Sequence, residues 1–312
     1  MANYNIKKDA KVYLVHNNTR YQLEVTEEIS FSQTFTDQTY SKRTLHNLNH
    51  LFDESNIKRA NPANFEFTIP IIMENDLNIV PNLLLDYDTD GGHSLKDFDL
   101  YIETPHIVYK LDKCVITNGT YIIEKLETLT LGIQGQASKL SKEPFLPGTG
   151  QGLSIASRTN TLGFQQIKHL VATIGGTSIL DCLFRASVEV QNDIKWTPYE
   201  TVDKALTVDN ASTSMYPSNF TLEKRIVSGS FSRYTTPDNH SDVQTWATDQ
   251  AIVLQAGMTA TRGFHFNLDK CTFTTRSMVD EVFSHTYDWK LNSNPTNLRD
   301  VTNGSYIKLN NI

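Results

Sequence analysis

Cysteine is scarce in this chain. There are 3 in 312 residues, Cys114, Cys182 and Cys271. An odd number of them gives no disulfide framework. Basic charge is also short: 28 Lys and Arg stand against 35 Asp and Glu, a net charge of −7 and a pI near 5.7. That excludes a protein that grips nucleic acid through a basic face. It does not exclude a surface that must avoid gripping it. Long apolar runs are missing too, so no segment reads as a membrane span. The opening stretch MANYNIKKDAKVYLV is polar and lacks the apolar core of a signal peptide, so the chain is expected in the cytosol when made. What remains is an ordinary soluble composition, 39% hydrophobic, long enough for two domains.

The order of short strings is more informative. LDKC occurs at Leu111–Cys114 and again at Leu268–Cys271, 157 positions later. Pro62, Asn64 and Phe65 of NPANFEF correspond to Pro217, Asn219 and Phe220 of YPSNFTL, an offset of 155. The turn Asn17-Asn18-Thr19 corresponds to Gly175-Gly176-Thr177, and Leu129, Leu131 and Ile133 to Tyr287, Trp289 and Leu291, both offset by 158. Four landmarks in one order at near-constant spacing point to two diverged copies of one domain. The expected domains are 1–137 and 167–312. The Gly-, Pro- and Ser-rich stretch 138–166 is expected to link them.

Strand signals dominate. NFEFTIPII reads as a strand ended by Pro70 or lying at an edge. Asn118-Gly119 between apolar runs predicts a hairpin turn. In each LDKC the apolar alternation resumes one step out of phase after Asp-Lys. A flat strand cannot hold both sets on one face, so a bulge is expected there. Cys114 and Cys271 fall on the resumed apolar phase and read as small core residues. Helices are expected near 78–87 and 239–249. The fold class is therefore mainly β, a β-sandwich or half-barrel with one flanking helix per domain.

The candidate chemical sites are weak. PGTGQGLS (147–154) lacks the lysine of a phosphate-binding loop. His46 and His50 are four apart but carry no Glu after His46 and no cysteine partners. Asp86, Asp88, Asp90 and Gly91 open like a calcium loop, yet Asp97 stands where a bidentate Glu is needed. His265 and His285 could act as bases, but no nucleophile elbow accompanies them. Neither a catalytic nor a metal residue is assigned, and no cofactor.

These landmarks resemble the tail tube (major tail) proteins of long-tailed bacteriophages, in the form with two tandem tube domains. The features that carry it are the duplication, the β content with one helix per copy, the PANF and PSNF strand starts after a long polar loop, and the acidic balance. The resemblance implies a structural virion protein and not an enzyme. It implies a homotrimer forming a pseudo-sixfold ring whose inner sheets join, with rings stacked into a tube. Duplex DNA would pass through the lumen without specific binding, and the expected partners are tape-measure, tail-tip and tail-terminator proteins. By resemblance the polar segments 37–61 and 197–216 would join stacked rings. In the first of these, Thr44, Leu45, Leu48, Leu51 and Phe52 are the candidate contacts. The alternatives are another tail ring component such as a distal tail protein, or a two-domain carbohydrate-binding β-sandwich protein.

Overall fold

The computed structural model describes residues 9–25, 29–40, 54–70, 79–85, 87–88, 94–124, 129–157, 167–196, 215–239, 250–260, 262–279, 281–293 and 305–309. The first half begins with the hairpin β1 (Lys11–His16) and β2 (Thr19–Leu23). Asn17 and Asn18 turn it with φ of 46° and 57°. Both central residues at positive φ suit a tight turn whose twist matches its strands. Next come β3 (Ser30–Ser32), β4 (Phe35–Tyr40), β5 (Glu54–Ala60), β6 (Ala63–Pro70) and the helix α1 (Ile79–Leu85). The two-residue strands β7 (Tyr87–Asp88) and β8 (Ser94–Leu95) precede β9 (Phe98–Glu103), β10 (Val108–Glu124), β11 (Thr130–Ala137), β12 (Lys139–Glu143) and β13 (Ser154–Ile155). The second half holds β14 (His169–Ile174), β15 (Thr177–Ser178), β16 (Leu183–Trp196), β17 (Phe220–Tyr234), β18 (Gln250–Thr259), β19 (Arg262–Val279), β20 (Phe283–Leu291) and β21 (Tyr306–Leu309). The mainly β class expected from composition and alternation is what the chain adopts.

Eight strands form one sheet in the order β3-β6-β11-β10-β16-β17-β20-β19, each pair antiparallel. The middle ladder, β10 with β16, joins the two halves, from Asn118 opposite Gln191 to Glu124 opposite Arg185. The long strand β10 also serves a second layer. Its first part pairs with β9 and β12, and β9 continues to β1 and β2. In the second half β19 pairs with β18 and β21, and β18 continues to β14. The core lies between these layers. It includes Phe65, Phe67 and Tyr121 from the first half and Phe231, Phe264 and Trp289 from the second, in one contiguous cluster. Burying an aromatic or large aliphatic side chain contributes about 1.5–3 kcal/mol, so a cluster that crosses the junction binds the halves firmly.

The bulge falls where the phase shift put it. Leu111 faces Leu100 and Cys114 faces Phe98, so Asp112 and Lys113 stand opposite Asp99 alone. In β19, Leu268 faces Ile252 and Cys271 faces Gln250, so Asp269 and Lys270 stand opposite Ala251. The extra residue lets both apolar phases face inward. Leu111, Cys114, Leu268 and Cys271 are all fully buried.

Several expectations are corrected. Asn118-Gly119 is no turn: it lies mid-strand in β10, paired on both sides. The glycine is there for contact, since a Cβ would sit 2.3 Å from Leu84 Cδ2 of α1. Within the expected linker 138–166, β12 pairs with β10 and β13 runs parallel to β2, which neither supports nor overturns the domain bounds. PANF and PSNF both open strands, but not at equivalent heights. Phe65 faces Gly135 and Phe220 faces Trp196. The match of Leu129, Leu131 and Ile133 to β20 also shifts. Val115 faces Gln136 while Thr272, its counterpart from LDKC, faces Lys290, so β11 and β20 differ by 154 positions. The first helix is shorter than 78–87. The segment expected to form the second, 239–249, lies outside the described residues beyond Asn239.

Candidate functional site

The eight-stranded sheet has two unlike faces because side chains alternate along each strand. One face supplies the core. The other is polar, and its cross-strand rows run through both halves. One row reads Ser30, Glu66, Gln134, Asn118 and Gln191. The next reads Thr68, Gly132, Thr120, Glu189, Ser228 and Lys290. A third continues through Ser187, Ser230, Asp288 and Thr274. Hydroxyls and amides predominate.

Several charged groups on this face are engaged by neighbours on it. Asn118 Nδ2 donates to Glu189 Oε1 at 2.7 Å, and Gln134 Nε2 to Glu66 Oε1 at 3.2 Å. Arg185 Nε meets Glu124 at 2.9 Å, across the ladder between the halves. Arg276 forks onto Asp288 at 2.5 and 2.9 Å. The hydroxyls of Ser187 and Ser230 meet at 2.9 Å, as do those of Ser232 and Thr286. A guanidinium already engaged by a carboxylate offers less to another anion.

Behind this face, polar contacts lock the junction. Asn192 is buried on β16 and donates to Leu84 O and Ile116 O, each at 3.1 Å. Arg225 on β17 reaches Asn192 Oδ1 at 2.7 Å, Leu85 O at 2.6 Å and Leu84 O at 3.1 Å. The last carbonyls of a helix have no partner within it. Here the second half supplies the donors for the end of α1 in the first. Nothing in the local sequence announces Asn192 or Arg225; an Asn at a buried strand position was the available signal.

The sequence landmarks meet in an unforeseen way. Lys113 of the first LDKC donates to Ser218 O at 2.6 Å and lies 5.8 Å from the Phe220 ring, both in PSNF. Ser138 Oγ donates to Pro217 O at 2.5 Å. Pro62 and Pro217 line one cleft beside Trp196. Asn64 and Asn219 are exposed, whereas Phe65 and Phe220 are buried. The expected stacking contacts Thr44, Leu45, Leu48, Leu51 and Phe52 lie outside the described residues, as do His46, His50 and most of the acidic stretch from Asp86. His265 is buried, and His285 shares a 2.9 Å hydrogen bond with Ser277. Gly148 of the glycine-rich stretch caps a short 3-10 turn, and Arg20 Nη1 donates to Pro147 O at 2.6 Å. Among the described residues no group of His, Cys, Asp and Glu is arranged to hold a metal ion.

Among the described residues two edges of the sheet are uncovered: no ladder lies on the outer side of β3, nor on that of β19 beyond Cys271. Among the described residues the ladders branch at β10 and β19 and do not return on themselves. Bare edges invite pairing with another chain. Apolar side chains lie exposed at one of them: Met278, Val279, Val282 and Phe283 around the β19–β20 turn.

No curated protein matches the chain. A model of the bacteriophage baseplate tube protein family matches residues 2–302, nearly the whole sequence, and the chain belongs to that family.

Proposed function

We propose that this protein is a wall subunit of the phage tube. Three copies close into a ring of pseudo-sixfold symmetry, rings stack, and duplex DNA passes through the lumen without specific binding. The observation that carries this reading is the polar face of the eight-stranded sheet, continuous across the junction and, among the described residues, uncovered at both ends. Rings of this kind arise when a head-to-tail contact closes on itself. Closure also removes edges that would otherwise pair without control. A lining of hydroxyls and amides, with Arg185 and Arg276 each held by a carboxylate, gives a phosphate backbone little to adhere to.

The matching ladders of the two halves support an internal duplication. β1-β9-β10 in the first half parallels β14-β18-β19 in the second, with the same bulge. Phe65 faces Gly135 in the first, and Gly229 faces Trp289 in the second, an aromatic opposite a glycine at the same height. The description of the family supports a place at the baseplate end of the tube. Tail-tip, tape-measure and terminator proteins are the partners this role requires. The role is structural and needs no catalytic group.

Negative-stain electron microscopy with the mass in solution tests this. Rings with a central hole from a three-chain species are expected. A chain that remains monomeric under all conditions sinks the reading. In the same reading the segments 37–61 and 197–216 project toward the next ring. Deleting 41–53 is expected to leave rings that no longer stack; long tubes from that variant would clear the loop of this role.

A further inference from the structure

The junction inside the chain specifies the junction between chains. Following the ladders from LDKC, each strand of one half has a counterpart in the other. Asn118 faces Gln134 on β10 and β11. Gln134 corresponds to Asp288 on β20, which faces Thr274, so Asn118 corresponds to Thr274. On the other side, Glu66 of β6 corresponds to Ser230 of β17. Ser30 faces Glu66 and Ser187 faces Ser230, so β3 corresponds to part of β16. Inside the chain the β10 edge is covered by β16. Among the described residues the matching edge on β19 beyond Cys271 and the matching strand β3 have no neighbour.

Exposure agrees with this correspondence. Ile123, covered by β16, is 6% exposed; its counterpart Val279 is 70% exposed. Met278 is 60% exposed, while its counterpart Ile122 is half-buried. An apolar side chain standing free on a strand edge, where its counterpart is covered, marks a missing neighbour.

We infer that β19 of one copy pairs antiparallel with β3 of the next, in the register of the β10–β16 ladder. Carrying that register over sets Met278 opposite Ser30, Ser277 opposite Phe31, Arg276 opposite Ser32 and Val279 opposite Ile29. Alternation then assigns the faces. Arg276 and Ser32 extend the polar face, and Val279, Ile29 and Phe31 close the core side. The occupant is a second copy of this chain because the strand that fills the equivalent edge belongs to this chain. The contact is head-to-tail, since the two edges differ. This rests on the ring reading above and names its contact surface.

The test is a cysteine pair. Directly opposed residues on antiparallel strands bring their Cα atoms to about 4.5–5.5 Å, within reach of a disulfide. The full chain carrying Cys182→Ser, Ser30→Cys and Met278→Cys is oxidised and run on a non-reducing gel. Covalent dimers and trimers are expected. The offset pair Ser30→Cys with Thr274→Cys is expected to give at least tenfold less. A second variant, Val279→Lys, adds a charge where the free chain is already exposed. It is expected to leave a folded monomer, judged by circular dichroism, that forms no rings. Intact rings without the in-register cross-link, or rings from Val279→Lys, overturn this pairing and leave the ring reading standing. A parent chain that stays monomeric by mass overturns both.

Discussion

Arg225→Ala tests whether the polar lock behind the polar sheet face holds the two halves together. In the native chain Arg225 serves Leu85 O at 2.6 Å, Asn192 Oδ1 at 2.7 Å and Leu84 O at 3.1 Å. After truncation Leu84 O keeps the Asn192 amide at 3.1 Å. Leu85 O and Asn192 Oδ1 each lose their guanidinium donor. An orphaned buried acceptor costs about 1–3 kcal/mol, so the loss spans roughly 2–6 kcal/mol. Arg225 is only half-buried, and water entering its place recovers part of this. The expected loss is about 2–3 kcal/mol. With a urea slope of about 2–3 kcal/mol/M, the unfolding midpoint falls by roughly 1 M. Trp196 and Trp289 flank the junction and report unfolding by fluorescence. Arg225→Lys keeps the charge but not the fork and is expected to lose about half as much. A midpoint shift below about 0.2 M for Arg225→Ala would refute the argument that these bonds tie α1 to the second half.

Gly229→Ala is expected to destabilise by about 3 kcal/mol, the upper end for overpacking. Its Cβ would lie 2.1 Å from Ser187 O and 2.5 Å from the Trp289 ring, and the first neighbour is backbone; Gly150→Ala, with nothing within 4 Å, is the control. At pH 8 the folded chain is expected to give one accessible thiol with a disulfide reagent, Cys182, which is exposed. Its rate is slowed because desolvation and the adjacent Asp181 hold the thiol above its ordinary value. Burial pushes the Cys271 thiol up to about 12 and the Cys114 thiol well above its ordinary value, so these two react only after denaturation. Burial alone would raise the Asp269 carboxyl, but the Ser305 and Ser293 hydroxyls bonded to it hold it below its ordinary value. A depressed carboxyl adds stability above its unfolded value, lost as pH falls through the folded one. Ser305→Ala is therefore expected to be less stable than the parent at pH 7, by a margin that shrinks below about pH 4. An equal margin at pH 7 and pH 3 would show that the hydroxyl acts only through packing.

The β class and the Asp-Lys bulge were legible because they depend on alternation along a single strand. Asn17-Asn18 was legible for the same local reason. Asn118-Gly119 misled because its glycine answers a contact from α1, 35 residues earlier in the chain, and no local rule separates that from a turn. The spacing of β11 against β20 slipped by four residues because both strands repeat with period two, so several registers fit the pattern equally. The Gly- and Pro-rich stretch after Ala137 looked like a linker by composition, which does not show that an edge offered by β10 recruits part of it as β12. Asn192 and Arg225 stayed hidden because, apart from each other, their partners are backbone carbonyls, which leave no trace in side-chain identity.

The ladder between β10 and β16 also has a consequence in time. β10 is complete at Glu124, whereas its partner begins at Leu183, about sixty residues later. At roughly 5–20 residues per second, the ribosome leaves the β10 edge uncovered for about 3–12 seconds. A strand pair of this kind closes in microseconds once both partners exist. The interval is therefore set by synthesis and not by folding. During it, a nascent chain on a neighbouring ribosome can offer its own β16 to that edge. The product would be a pair of chains with exchanged halves, locally indistinguishable from the native junction. Spacing between ribosomes on one message, and so the rate of initiation, then becomes a determinant of how much correctly folded subunit the cell yields.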